Sequence, residues 1–160
     1  MSFYKILQIQ GEVIPSTLKN VTLAVRVENG KTIKGETNID EPKHNGDLKI
    51  KDAWFEPSCR ANPRAIKAIK KADVVVIGPG DLFSSIIPNF LAQGMKKALQ
   101  QSKAKKVYIC NIMTKHGETT EFTASEFVEA LEQYIGEGVI DCIVLNTKAP
   151  SVQRVAKYEK

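Results

Sequence analysis

Apolar and polar positions alternate over residues 21–27, with Val21, Leu23, Val25 and Val27 set against Thr22, Ala24 and Arg26. That period of two predicts a half-buried β-strand. Asn29-Gly30 follows, and residues 31–37 can return antiparallel, because both turn positions tolerate a positive φ. A polar loop over residues 42–47 leads to a third strand at 48–55, closed by Pro57. Beyond residue 60 the period lengthens. Asn62 suits an N-cap and Pro63 the first helical position, and Ala65, Ile66, Ala68, Ile69 and Ala72 line one helical face. Residues 73–77 form a nearly continuous apolar run, which predicts a strand covered on both faces. Gly78-Pro79-Gly80 ends it. A helix is expected from there to about Gln101, either starting near Pro88 or interrupted by it. A buried strand at 107–112 comes next. A helix from the Thr123 cap to Ile135 follows, with Glu126 completing a capping box. The last strand is expected at 140–146.

The order over residues 60–146 is thus α-β-α-β-α-β, which implies a parallel sheet with helices on its faces. Right-handed crossovers bring all three strand ends to one side. The chain reads as a single α/β domain with a β-hairpin region at 1–58 and an α/β region at 59–160. Its 160 residues, 42% apolar and 26% charged, suffice for a core and are too apolar for a disordered chain. No apolar run approaches the ~20 residues that cross a bilayer, and residues 1–10 carry no signal-peptide pattern. A cytoplasmic protein without a membrane partner is expected. Cys59, Cys110 and Cys142 are odd in number and include no CxxC, so buried reduced thiols are expected rather than disulfides or zinc. The net charge of +5 lies wholly in residues 1–72, with 13 basic and 8 acidic groups against 10 of each in 73–160. Such an excess can meet phosphate or nucleic acid. No base-stacking aromatics accompany the lysines, so a solvated surface is the simpler reading and no nucleic-acid partner is expected.

Ligands of open parallel sheets bind outside the carboxyl ends of the strands. Here those ends are polar: Gly78-Pro79-Gly80-Asp81, Asn111-Ile112-Met113-Thr114 and Asn146-Thr147. Gly78 and Gly80 let backbone approach a ligand. The helix start after them offers free N–H groups, and Ser84 and Ser85 add hydroxyls, a combination suited to a phosphate or carboxylate. The alternative is a tight strand-to-helix turn in which the glycines serve geometry alone. The segment is neither GxxxxGK[ST] nor GxGxxG, so no triphosphate or dinucleotide follows. Asn111 and Thr114 can hydrogen-bond a sugar or base, and Lys115 can pair with phosphate. His116 and Glu118 allow acid–base work, although a polar loop is the plainer reading, since no Ser or Cys nucleophile pairs with them. His44 and His116 lack an acidic cluster nearby in sequence, so no metal is expected. Neither a cofactor nor a catalytic residue is assigned.

Three segments together resemble one family. Residues 77–89, Ile-Gly-Pro-Gly-Asp-Leu-Phe-Ser-Ser-Ile-Ile-Pro-Asn, are similar to the signature of the YvcK-type gluconeogenesis factors, relatives of the 2-phospho-L-lactate transferases in the CofD-like superfamily. Residues 107–114 with Gly117-Glu118-Thr119 match a second motif, and residues 11–17 match G-x-[VIL]-[VIL]-P-[SA]-T. The Gly-Pro-Gly loop and the Ile-Pro-Asn continuation favour the YvcK-type branch over the transferases, whose loop is of the GPSNP type. The resemblance implies a Rossmann-like fold in a cytoplasmic bacterial protein. It implies a nucleotide-sugar-binding regulator of the UDP-N-acetylglucosamine type, tied to gluconeogenic growth, cell shape and wall synthesis. It carries no established reaction. Asn89 and Tyr158 correspond to family positions in the nucleotide-sugar site, with a shorter spacing after Asn146 here. The family's N-terminal glycine-rich loop and Asp-Asp-Gly-Gly stretch have no match, so the domain reads as incomplete. Such a sheet would expose an edge and an apolar face, which leads us to expect a homo-oligomer or pairing with a separate N-terminal half. The alternatives are a phosphoryl transferase and a fragment without an intact site.

Overall fold

The computed structural model describes residues 11–42, 45–149, 151 and 153. The alternation at residues 21–27 becomes β1 (Thr22–Val27), with Leu23, Val25 and Val27 buried. The chain turns at Asn29-Gly30, where Gly30 takes φ 84° and the Lys31 amide donates to Asn29 Oδ1 at 3.0 Å. It returns as β2 (Thr32–Lys34), antiparallel to β1 with Val25 opposite Ile33. This strand is shorter than the expected 31–37. Residues Glu36–Asp40 instead wind into a short helix, α1, and the Asn38 amide donates to Lys34 O. The third strand, β3 (Ile50–Glu56), pairs antiparallel on the other side of β1, giving the order β2-β1-β3.

Asn62 caps α2 (Pro63–Lys71), its Oδ1 accepting from the Arg64 amide at 3.0 Å. A parallel sheet of order β4-β5-β6 follows, built from β4 (Val74–Ile77), β5 (Lys105–Ile109) and β6 (Cys142–Val144). The single helix expected between β4 and β5 is divided into three. A π-helical turn at Leu82–Ile86 runs into a 3₁₀ turn at Ile87–Phe90, and only Met95–Gln101 forms a regular helix, α3. Pro88 has no N–H to continue the ladder. The segment after it is drawn into a bridge instead, with Ala61 N donating to Gln93 O and Gln93 N to Cys59 O. The helix α4 (Ala124–Ile135) has the predicted capping box, with Thr123 and Glu126 each holding the other's amide.

One core joins the two sheets. Val25, Val27, Ile33, Ile39 and Ile50 meet Ile77, Leu82, Ile87, Leu99 and Tyr108, and α4 adds Phe127, Leu131 and Ile135 at helical spacing. Burial raises the Tyr108 pKa, with the Cys110 thiol adding to it, and its hydroxyl has no hydrogen-bond partner among the described residues. Two expectations fail at the other face of the parallel sheet. Val74 and Val76 are 52% and 56% exposed, so β4 is covered on one side only. Cys142, expected to be buried, is exposed, while Cys59 and Cys110 are buried. No described helix is long and apolar enough to cross a membrane.

Candidate functional site

The parallel order of β4, β5 and β6 sets their carboxyl ends side by side. Gly78 takes φ 79°, and a Cβ there would lie 2.9 Å from Ile109 O, so glycine is demanded by the close approach of β5. Gly80 is different. A Cβ at that position would meet nothing nearer than 3.5 Å. The Gly80 amide donates to Asn111 Oδ1 at 3.0 Å, which ties two strand ends together. Gly78, Pro79, Gly80, Ser85, Ile86 and Asn89 line a cleft of about 290 Å³. Ser85 and Asn89 are exposed there. The Asn89 amide donates to Ser85 O at 2.8 Å and to Ile86 O at 3.3 Å, and its Oδ1 has no bond among the described residues.

The amides at the start of the π-helical turn are taken by the chain itself. Glu118, its side chain fully buried, accepts from Phe83 N at 2.9 Å and from Ser84 N at 3.0 Å through Oε2. Its Oε1 accepts from Ser84 Oγ at 2.7 Å. Ser84 therefore turns inward and faces Glu118. The buried carboxylate stands where the sequence alone suggested an incoming anion. Its countercharge is Lys115, whose Nζ lies 3.3 Å from Glu118 Oε1 and 2.7 Å from Asp81 Oδ2, and also pairs with Asp40. Burial pulls the Lys115 pKa down, but the bonds to Asp40 and Asp81 and the charges of Glu118 and Asp81 outweigh it and raise the pKa above that of an ordinary lysine. Oxygens of Asp40, Asp81 and Glu118 lie within 4.8 Å of one another, and the ammonium stands among them.

Five expected site residues thus gather at this strand end: Gly78, Gly80, Ser85 and Asn89 on the cleft, and Asn111 behind it as a brace. Thr114 is exposed on the next loop and does not line the cleft. Tyr158 and His44 lie outside the described residues. Sequence reasoning noticed Glu118 and Lys115 but not what they do, and it missed Asp40. Lys115 and Glu118 share one turn, with Glu118 N donating to Lys115 O at 3.2 Å. Asp40 is 75 positions from Lys115 and gave no signal. A larger cavity of about 620 Å³ lies beside the start of α2, among Thr17, Lys19, Ser58, Arg60, Asn62 and Gln93. Three of its polar side chains are committed to the chain: Thr17 Oγ1 donates to Arg60 O, Lys19 Nζ to Ser58 O, and Asn62 Nδ2 to Pro15 O. Of the basic groups of the first half, Arg26, Lys34 and Lys49 form surface pairs with Asp52, Glu56 and Glu126.

A parallel α/β sheet with a glycine-turned cleft at its strand ends, joined to a small antiparallel sheet, defines a Rossmann-like α/β protein. The model of the family described as 2-phospho-L-lactate transferase CofD matches residues 2–160, and the chain belongs to this family. It is 40% identical over 157 residues to the gluconeogenesis factor of Halalkalibacterium halodurans, covering 98% of this chain and 48% of that protein. It is 38% identical over 156 residues to the gluconeogenesis factor of Bacillus subtilis, covering 97% and 48%. A crystal structure of a UPF0052 family member from Bacillus halodurans superposes with a TM-score of 0.87 at 38% identity, over 97% of this chain and 49% of that one. The chain spans about half the length of the curated relatives it matches.

Proposed function

We propose that this chain forms the ligand-holding part of a gluconeogenesis-factor-type regulator, and that its ligand is a nucleotide sugar of the UDP-N-acetylglucosamine type. The observation that carries the reading is the strand-end cleft of about 290 Å³, with Ser85 and Asn89 exposed on it and Gly80 leaving its floor open. That volume is near the low end for ligand sites. It fits one end of a nucleotide sugar, with the remainder lying across the open sheet end. The acids that a phosphoryl transferase would recruit, Asp81 and Glu118, are engaged by Lys115, which favours a binding role over transfer. The wider setting proposed is a cytoplasmic bacterial protein acting in growth on gluconeogenic carbon, cell shape and wall synthesis.

The test is thermal unfolding with UDP-N-acetylglucosamine, UDP-glucose, UDP or no addition, in the parent chain and in Gly80→Ala. A binder at ~100 times its Kd adds about 2.7 kcal/mol, a rise of several degrees for a domain of this size. The expected result is a rise with a UDP-sugar that the added methyl reduces or removes, since the methyl narrows the cleft beside Ile86 and Ser85 without meeting backbone. A parent chain indifferent to all three ligands overturns the reading.

A further inference from the structure

The larger cavity, beside the start of α2, is separate from the strand-end cleft, and the two share no lining residue. Its volume of about 620 Å³ is well within the range of small-molecule sites. Its floor is packed. Cys59 and Ala61 are buried there in a small apolar cluster with Ala65, Ala92 and Met95. Its wall is fixed by Pro15, Ser16 and Thr17, a segment that the cleft does not use. Asn62 N donates to Ser16 O at 2.8 Å, Asn62 Nδ2 to Pro15 O at 3.0 Å, and Thr17 Oγ1 to Arg60 O at 2.9 Å.

The lining carries two full positive charges, Lys19 and Arg60, and no Asp or Glu. The Arg60 guanidinium has neither a hydrogen bond nor an ion pair among the described residues, and the same holds for the Ser58 hydroxyl and the Gln93 side-chain amide. Lys19 Nζ gives one of its three N–H groups to Ser58 O at 3.1 Å. Glu12, the one acid of the incoming segment, pairs with Arg64 outside the cavity. The helix α2 starts here and has no acid in its first turn, so no carboxylate of its own offsets the positive end of its dipole. We propose that this cavity binds a small organic phosphate. Arg60 takes two phosphoryl oxygens in the fork geometry that guanidinium and phosphate share, and Lys19 adds a point charge. Ser58 and Gln93 donate to the remaining oxygens, and Leu18 and Pro63 give the carbon skeleton an apolar wall. The inference stands on this cavity alone and does not depend on the nucleotide sugar proposed above.

The test is isothermal titration calorimetry of the chain with inorganic phosphate, glycerol 3-phosphate and citrate, against sodium chloride at matched ionic strength. The expected result is saturable binding of glycerol 3-phosphate, tighter than that of the bare phosphate ion, while citrate and chloride give only heats of dilution. Arg60→Ala should weaken the phosphate ester at least tenfold. It keeps the Arg60 carbonyl that holds Thr17 and the backbone bridge to Gln93, so the Tm should stay where it is. Lys19→Met should weaken the ester as well. Gly80→Ala, in the cleft, should leave its affinity unchanged, which separates a failure here from a failure of the nucleotide-sugar reading. Four outcomes overturn the proposal. Neither phosphate saturates, or the ester binds no tighter than the bare ion. Citrate binds as tightly as the ester, which would make the cavity a general anion site. Or the affinity ignores Arg60→Ala and Lys19→Met, which would put the phosphate elsewhere on the chain.

Discussion

Glu118 shows how much one side chain can settle. It is fully buried, yet two amides, a serine hydroxyl and an ammonium surround its carboxylate. Removing one partner of a buried charged cluster costs about 3–5 kcal/mol, far more than a surface pair is worth. Glu118→Ala is therefore expected to lower the Tm by roughly 10 °C, on a scale of about 2–4 °C per kcal/mol for a chain of this length. Glu118→Gln keeps an acceptor for the amides and loses the charge, so it should fall between the two. Equal Tm values for Gln and Ala would show that the charge and not the hydrogen bonds carries the effect. Asn89 is a second lesson at this scale. Its amide supports the Ser85 and Ile86 carbonyls, so truncating it would disturb the turn as well as any ligand, and Gly80 is the cleaner probe of the cleft.

Elements with a local signal were the most legible. The hairpin turn, the Asn62 cap and the Thr123–Glu126 capping box all lie within a few residues of the pattern that announces them. Glu126 illustrates the energetics. The Thr123 amide, then Lys49 and the Thr123 hydroxyl, hold its pKa down at about 2 against an ordinary 4.5. Its contribution to stability is present above pH 4.5 and is lost as the pH falls through about 2, because the unfolded chain binds the proton first. Glu126→Gln should be less stable at neutral pH and should show a flatter loss of stability between pH 4.5 and about 2, read by circular dichroism during acid titration. Identical slopes would remove Glu126 from the acid transition. The segment between β4 and β5 was illegible for the opposite reason. Its division into two short turns and a helix goes with the bridge between Arg60 and Gln93 and with Glu118, contacts that local propensity does not contain.

At the scale of the molecule, the alternation of helix and strand was enough to name a parallel sheet, and the motifs were enough to name the family. What could not be read was which sheet face would be covered. An apolar run such as residues 73–77 does not say which of its faces is covered, and here Ile77 is buried while Val74 and Val76 are exposed. Nor could the join between the two sheets be read, since Asp40 beside β2 and Lys115 after β5 are distant in sequence. That join is electrostatic as well as apolar. Lys115→Met would leave Asp40, Asp81 and Glu118 facing one another, and about 2 kcal/mol of destabilisation is expected after allowance for partial solvent exposure. Because the lysine pKa is raised above its ordinary 10.5, the contribution is complete below that pH and the loss should be constant from pH 6 to 9 by denaturant titration. A loss confined to one end of that range would mean that Lys115 acts by some route other than its charge.

The Glu118 cap also bears on the order of assembly. The carboxylate that organises the turn at residues 83 and 84 arrives from 34 and 35 positions further along the chain. The segment that most plainly advertises the family thus draws part of its shape from a distant loop. A peptide spanning the glycine turn would lack the Glu118 contacts, and during folding this region is expected to settle after β5 has paired and the following loop has closed over it. Native contacts there form late and cost loop entropy before they return anything. Hydrogen exchange at the Phe83 and Ser84 amides would then report the docking of a distant loop.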